Sequence, residues 1–156
     1  MKNLLSKNLQ DTQDMKKYKQ PEFPEAQTVG PRPWGEEQLL VLAEGKYMMK
    51  RLFVKAGSKG GLQYHRLKDE AGFLVSGQMI IRYDDGSGGL TEKLLSEGDF
   101  FHFRPGVVHQ EEAITDCIII EASSPHFNDR VRVEALFGLD GRGGLPSTSL
   151  EEIEEK

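Results

Sequence analysis

The sequence holds one cysteine and one tryptophan among its 156 residues, and it has no long apolar run and no excess of basic charge. A single thiol cannot close an intrachain disulfide. Cys117 sits in the apolar run Cys117 to Ile120, where a buried and inert thiol is expected. A membrane-crossing helix takes about 20 consecutive apolar residues, so no membrane partner is expected. The first ten residues carry lysine without an apolar stretch of about 7–15 residues behind it, so no secretory signal is read and the expected location is cytoplasmic. The net charge is −5, from 20 Lys and Arg against 25 Asp and Glu, which argues against nucleic acid as a partner because phosphate binding needs clustered cations. Internal repeats are also lacking, and this length suits one domain with one core.

What is present is a series of short β-rich runs punctuated by Gly and Asp. They are Gln38 to Leu42, Tyr47 to Lys55, Phe73 to Val75, Gln78 to Tyr83, Leu90 to Leu95, Phe100 to Phe103 and Ala113 to Ala122. Strands at roughly 8–12-residue spacing point to an all-β sandwich or barrel. Asp84 to Gly89 reads as a hairpin turn, with glycines to supply positive φ. Residues 1–32 read as an N-terminal polar and proline-rich arm, in which a short helix is permitted before Tyr18 and Pro21, Pro24, Pro31 and Pro33 force extended chain. Residues 33–138 read as the barrel. Within them, Asn128 to Leu136 is taken as helix or turn rather than a closing strand. Residues 139–156 read as a mobile acidic tail.

Two patches carry the candidate chemistry. The first places Gln63, His65 and Glu70 between Gly57 and Gly77, and the second runs from Gly98 through Arg104-Pro105-Gly106 to His109. Residues i and i+2 of a strand point to one side with Cα atoms about 6.6–7 Å apart, so Gln63 and His65 can converge on one ion. Glu70 would enter beside them after a turn, and His109 would complete the set from another strand. Two nitrogens and two oxygens without a thiolate suit one divalent metal ion, zinc first, with manganese, iron or nickel also compatible, in a site open to water or substrate.

The spacing of both patches resembles the paired motifs of the cupin superfamily, with Gln63 in place of the usual leading His. PRPWGEE, KRLFVKAG, LQYHRLKDE, FRPGVVH and IIEASSPHFNDRVRVEALFG are similar to the cupin domain of type II mannose-6-phosphate isomerases and their small relatives, over roughly Pro33 to Gly138. The resemblance implies an all-β single-domain cupin, a double-stranded β-helix or jelly-roll barrel, and a homodimer. This chain departs from the isomerase pattern at Tyr64-His65-Arg66-Leu67, where a run of histidines is usual, and at Ala71-Gly72, where a His-Trp pair is usual. Arg104 stands where the second motif has Pro, and Ala113 where it has Asn.

The first functional expectation is a metal-dependent, isomerase-like enzyme of carbohydrate metabolism, acting on a sugar phosphate or related small molecule. In that reading Glu121 moves the proton, and Lys50, Arg104 and Tyr64 contact the substrate. An iron-dependent dioxygenase of a small organic acid and a non-enzymatic sugar- or metal-binding module are the alternatives. His102 alternates with Phe101 and Phe103 and should point out of the barrel, and His126 is expected in a loop.

Overall fold

A computed structural model describes residues 20–29, 32–127 and 129–139. The candidate helix before Tyr18 and the acidic tail beyond residue 139 lie outside them. Among the described residues eleven strands form: β1 (Gln27–Thr28), β2 (Gly35–Ala43), β3 (Tyr47–Val54), β4 (Gln63–His65), β5 (Glu70–Ser76), β6 (Gln78–Asp84), β7 (Leu90–Ser96), β8 (Phe100–Phe103), β9 (His109–Ala113), β10 (Cys117–Ser123) and β11 (Arg130–Arg132). One sheet runs β1-β2-β3-β10-β5-β8 and the other β11-β4-β9-β6-β7, with neighbouring strands antiparallel. The two sheets face each other as the single-domain jelly roll expected of a cupin. Among the described residues no helix is long and apolar enough to cross a membrane.

Period-two alternation decides what each strand gives the interior. In β5, Glu70, Gly72 and Leu74 point in while Ala71, Phe73 and Val75 point out. Leu74, Met79, Ile81, Leu95, Phe103, Ala113, Cys117 and Ile119 close one end as an apolar core. Farther along the same inner faces the residues turn polar: Ile119 is followed by Glu121, Leu52 is preceded by Lys50, and Ala113 is preceded by Glu111 and His109. The barrel is therefore dry at one end and charged at the other.

Three expectations about elements need correction. The run Ala113 to Ala122 is two strands, because Ile114 and Thr115 turn to donate their amides to the Gln78 carbonyl, so that Ala113 and Cys117 both reach the core. Asn128 to Leu136 is helical only at its end, in a 3-10 turn over Glu134–Phe137, whereas Arg130–Arg132 pairs with β4. The proline-rich arm is not wholly separate from the barrel. β1 pairs with β2, and Val29 donates to the Glu37 carbonyl at 2.8 Å and is buried against Leu39 and Met48. The stretch between Pro24 and Pro31 lacks proline and keeps the amides such pairing requires.

Turn chemistry follows the glycines at two places. The β6–β7 hairpin carries Gly86 and Gly88 at φ +83° and +92°. Gly77, at φ +97°, joins β5 to β6, where a Cβ would stand 2.4 Å from the Asp116 carbonyl oxygen.

Candidate metal centre

β4 presents Gln63 and His65 on one face, and Tyr64 between them takes the other. Gln63 lies directly opposite His109 in the β4–β9 pairing. The Arg104–Val107 turn docks by donating the Gly106 amide to the His65 carbonyl at 2.8 Å, which sets where β9 begins. Glu70 opens β5 from the far side of the barrel. His65, Glu70 and His109 are all buried, and one ligand atom from each lies within 4.8 Å of the others.

The orientation of each donor is enforced. His65 Nδ1 faces Asp129 Oδ1 at 2.8 Å, and His109 Nδ1 faces the Val107 carbonyl at 2.9 Å. A carbonyl and a carboxylate only accept, so both Nδ1 atoms carry a proton and both Nε2 atoms point inward. Those Nε2 atoms stand 3.6 Å and 3.3 Å from Glu70 Oε1. Glu70 Oε2 is taken by Lys68 Nζ at 2.5 Å, which leaves Oε1 for the histidine side. Phe103 stacks on the His109 ring with centroids 4.0 Å apart. Outer hydrogen bonds of this kind fix the tautomer and ring plane of metal-binding histidines, and two imidazole nitrogens with a carboxylate oxygen are a fitting donor set for a divalent ion.

The charges agree with that geometry. Burial, aided by the Lys68 ammonium, outweighs nearby carboxylates and lowers the pKa of His65, favouring the neutral ring. Burial opposes charging of His109 as well, but its hydrogen bond to Glu70 prevails and raises its pKa. Desolvation works against the Glu70 carboxylate, yet Lys68 and the two histidines hold it well below the usual carboxylate range. Asp129 is likewise held low despite desolvation, through the amides of Leu67 and Lys68 and the His65 ring.

The cluster opens into a cavity of about 140 Å³. That is well above the roughly 10–15 Å³ a cavity needs to hold a single water, so several waters or a small ligand can enter. Lys50 and Glu121, both expected from the sequence, line it. Lys50 is buried and bound to Glu37 Oε1 at 2.6 Å, with Arg32 on the other Glu37 oxygen at 2.8 Å. Glu121 accepts from Lys68 Nζ at 2.8 Å. Tyr64 and Arg104 do not line the cavity: alternation turns Tyr64 away, and Arg104 is exposed on the docking turn. His102 points outward to Asp69 at 2.6 Å, and His126, an exposed loop residue, reaches the cavity rim.

Glu111, Arg130 and Arg132 are among the cavity residues that the sequence did not single out. Glu111 sits two residues after His109 on the same strand face, a signal the spacing contained, and burial pushes its pKa up to about 7. Arg130 and Arg132 flank His65 and Gln63 on β11 and became visible only when that segment proved to be a strand.

A profile of the cupin domain matches residues 51–122, which span β4 to β9 whole, half of β3 and most of β10. Solved structures share the fold. Capsular polysaccharide assembling protein CapF from Staphylococcus aureus is 19% identical with a TM-score of 0.61, over 70% of this chain and 34% of CapF. An RmlC-like cupin from Shewanella frigidimarina is 23% identical, TM-score 0.57, over 67% of this chain and 88% of its own. Oxalate decarboxylase from Bacillus subtilis, described with Mn(II) centres, is 16% identical, TM-score 0.60, over 76% of this chain and 36% of that one. This chain thus spans about a third of the length of CapF and of the decarboxylase. No curated protein matches the sequence.

Proposed function

We propose that this cupin holds one divalent metal ion through His65, Glu70 and His109, with Gln63 as a fourth donor, and acts on a small carbohydrate, a sugar phosphate first. The observation that carries the reading is the convergence of two inward Nε2 atoms on Glu70 Oε1 at the wall of a charged cavity. The polysaccharide-assembling CapF supports the carbohydrate class, and the Mn(II) centres of oxalate decarboxylase are a reason to test manganese beside zinc. A bound divalent ion would supply a Lewis-acidic charge that polarises a carbonyl oxygen.

The chain's own residues would do the rest. Asp129 and the Val107 carbonyl keep the histidine protons on Nδ1, away from the ligand. Lys68 bridges Glu70 and Glu121, and the two carboxylates hold its ammonium protonated, well above the ordinary lysine range, against the opposing effect of burial. Glu121 faces the cavity as the group that moves a proton during isomerisation, and Glu111, on the His109 strand, is a second carboxylate on the same wall. Lys50 lines the same cavity and is held by Glu37 at 2.6 Å, so it shapes the wall rather than meeting the ligand as a bare cation.

Elemental analysis of the native protein, followed by a screen of aldose and ketose phosphates with and without chelator, tests this reading. Stoichiometric metal that is lost in His65→Ala and His109→Ala, together with chelator-sensitive turnover, is expected. Protein purified free of metal and unable to take up Mn²⁺ or Zn²⁺ would overturn it.

A further inference from the structure

We infer that Arg130 and Arg132 form an anion subsite, a pair of guanidinium forks that grips the phosphate or carboxylate of the ligand next to the His65–Glu70–His109 cluster. The inference rests on the reading above for the identity of the neighbouring cluster, while the subsite itself is argued from β11.

The register of the short β4–β11 ladder sets the geometry. Arg130 lies opposite His65, and Arg132 opposite Gln63. Cross-strand partners share a face with Cβ atoms about 4.5–5.5 Å apart, so both arginines project to the side from which the two candidate donors enter the barrel. All four residues line the same cavity, whereas Tyr64 and Val131, the pair between them, do not.

Two guanidiniums at i and i+2 on one strand face repel each other, and part of that repulsion is paid in a poorly solvated position. An anion between them would offset both effects. Arginine is also the side chain suited to bidentate contact with planar carboxylates and with phosphates.

Lys50 and Arg32 are held at short range by Glu37, at 2.6 and 2.8 Å, and Lys68 by Glu70 and Glu121, at 2.5 and 2.8 Å. Arg132 is held more loosely. Its Nη1 is 3.4 Å from Glu134 Oε1 and 3.5 Å from Gln63 Oε1, and its side chain keeps 27% exposure, so the fork can turn toward a ligand with little to break. The wall behind it is bare backbone. A Cβ on Gly61 would stand 1.3 Å from Arg132 Nη1, so the absence of a side chain there is what admits the guanidinium.

Calorimetric titration of the full chain tests the assignment. The protein is loaded with Mn²⁺ or stripped with EDTA, and the probes are inorganic phosphate, D-glucuronate and neutral D-glucose. The wild type is expected to bind at least one anion in preference to glucose, and which anion binds separates a phosphate ester from a carboxylate ligand. Arg132→Gln and Arg130→Gln should each weaken that anion by about tenfold or more, as expected for loss of a charge-assisted hydrogen bond, with Mn²⁺ affinity changed less than about threefold. Arg132→Lys, which keeps charge but loses the fork, should fall between. Anion affinity unchanged in Arg132→Gln, or glucose bound as tightly as both anions, would overturn the subsite. Mn²⁺ uptake without binding of either anion also overturns the subsite and leaves the metal reading standing. Arginine-dependent anion binding without Mn²⁺ uptake overturns the metal reading alone. If circular dichroism shows Arg130→Gln unfolded, the partly exposed Arg132 carries the test.

Discussion

Asp129 Oδ1 accepts the His65 Nδ1 proton at 2.8 Å while its other oxygen accepts the amides of Leu67 and Lys68, each at 2.8 Å. One carboxylate therefore sets the ring plane of a candidate donor and the shape of the turn leading to Glu70. Asp129→Asn keeps an acceptor for His65 but offers the amides a donor where they need an acceptor. Loss of such an outer partner typically lowers metal affinity about 10–100-fold. Competition titration of Zn²⁺ or Mn²⁺ against a chromophoric chelator should show a loss of that size in a folded protein, and wild-type affinity would refute the role.

Lys68 bridges two buried carboxylates, with Nζ 2.5 Å from Glu70 and 2.8 Å from Glu121. Lys68→Met would leave both anions without their cation in a poorly solvated interior. Breaking a buried pair from one side costs about 3–5 kcal/mol. Urea denaturation of metal-free protein should show a loss of that order, and a change below about 1 kcal/mol, the usual value of a surface pair, would contradict it.

Gly77 tests the backbone. At φ +97°, with the Asp116 carbonyl 2.4 Å and Cys117 Sγ 2.8 Å from where a Cβ would stand, Gly77→Ala meets both strain and collision. Strained φ alone costs about 1–3 kcal/mol, so the midpoint of thermal unfolding should fall clearly. Gly57→Ala, where φ is +77° but nothing lies within 4 Å of the new atom, should lose less and separates strain from collision.

The β6–β7 hairpin carries a pH dependence of its own. Asp85 accepts hydrogen bonds from the Ser87 amide at 2.9 Å and the Thr91 hydroxyl at 2.6 Å, and Ser87 first, then Thr91, holds its pKa down to about 2. A pKa depressed in the folded state gives stability that is fully present above the unfolded value near 4 and lost as pH falls through about 2. An NMR titration of the Asp85 carboxyl should have its midpoint near 2, moving up toward 4 in Thr91→Val. An unshifted midpoint in the wild type would remove this contribution.

Much of the centre was legible because it depends on local spacing. Gln63 and His65 are two residues apart in a strand, so alternation alone puts them on one face, and the Pro-Gly turn before His109 is short enough to hold it in place. The same rule, applied to His109, would have found Glu111. Partners set by sheet pairing were a different matter. Nothing near Arg130 in the chain announces that it will lie beside His65, some 65 positions earlier, and the apparent run from Ala113 to Ala122 concealed a turn that only its bonds to Gln78 reveal.

By itself the sequence determined an all-β chain with a dry core and two patches of imidazole and carboxylate, because hydrophobic alternation and glycine placement act over a few residues. Tertiary structure alone decided how the cations were shared out. Lys50 went to Glu37, Lys68 to Glu70 and Glu121, and Arg130 and Arg132 to the cavity wall beside β4. Those assignments depend on which strands become neighbours, because an ion pair forms only where two side chains meet within about 4 Å.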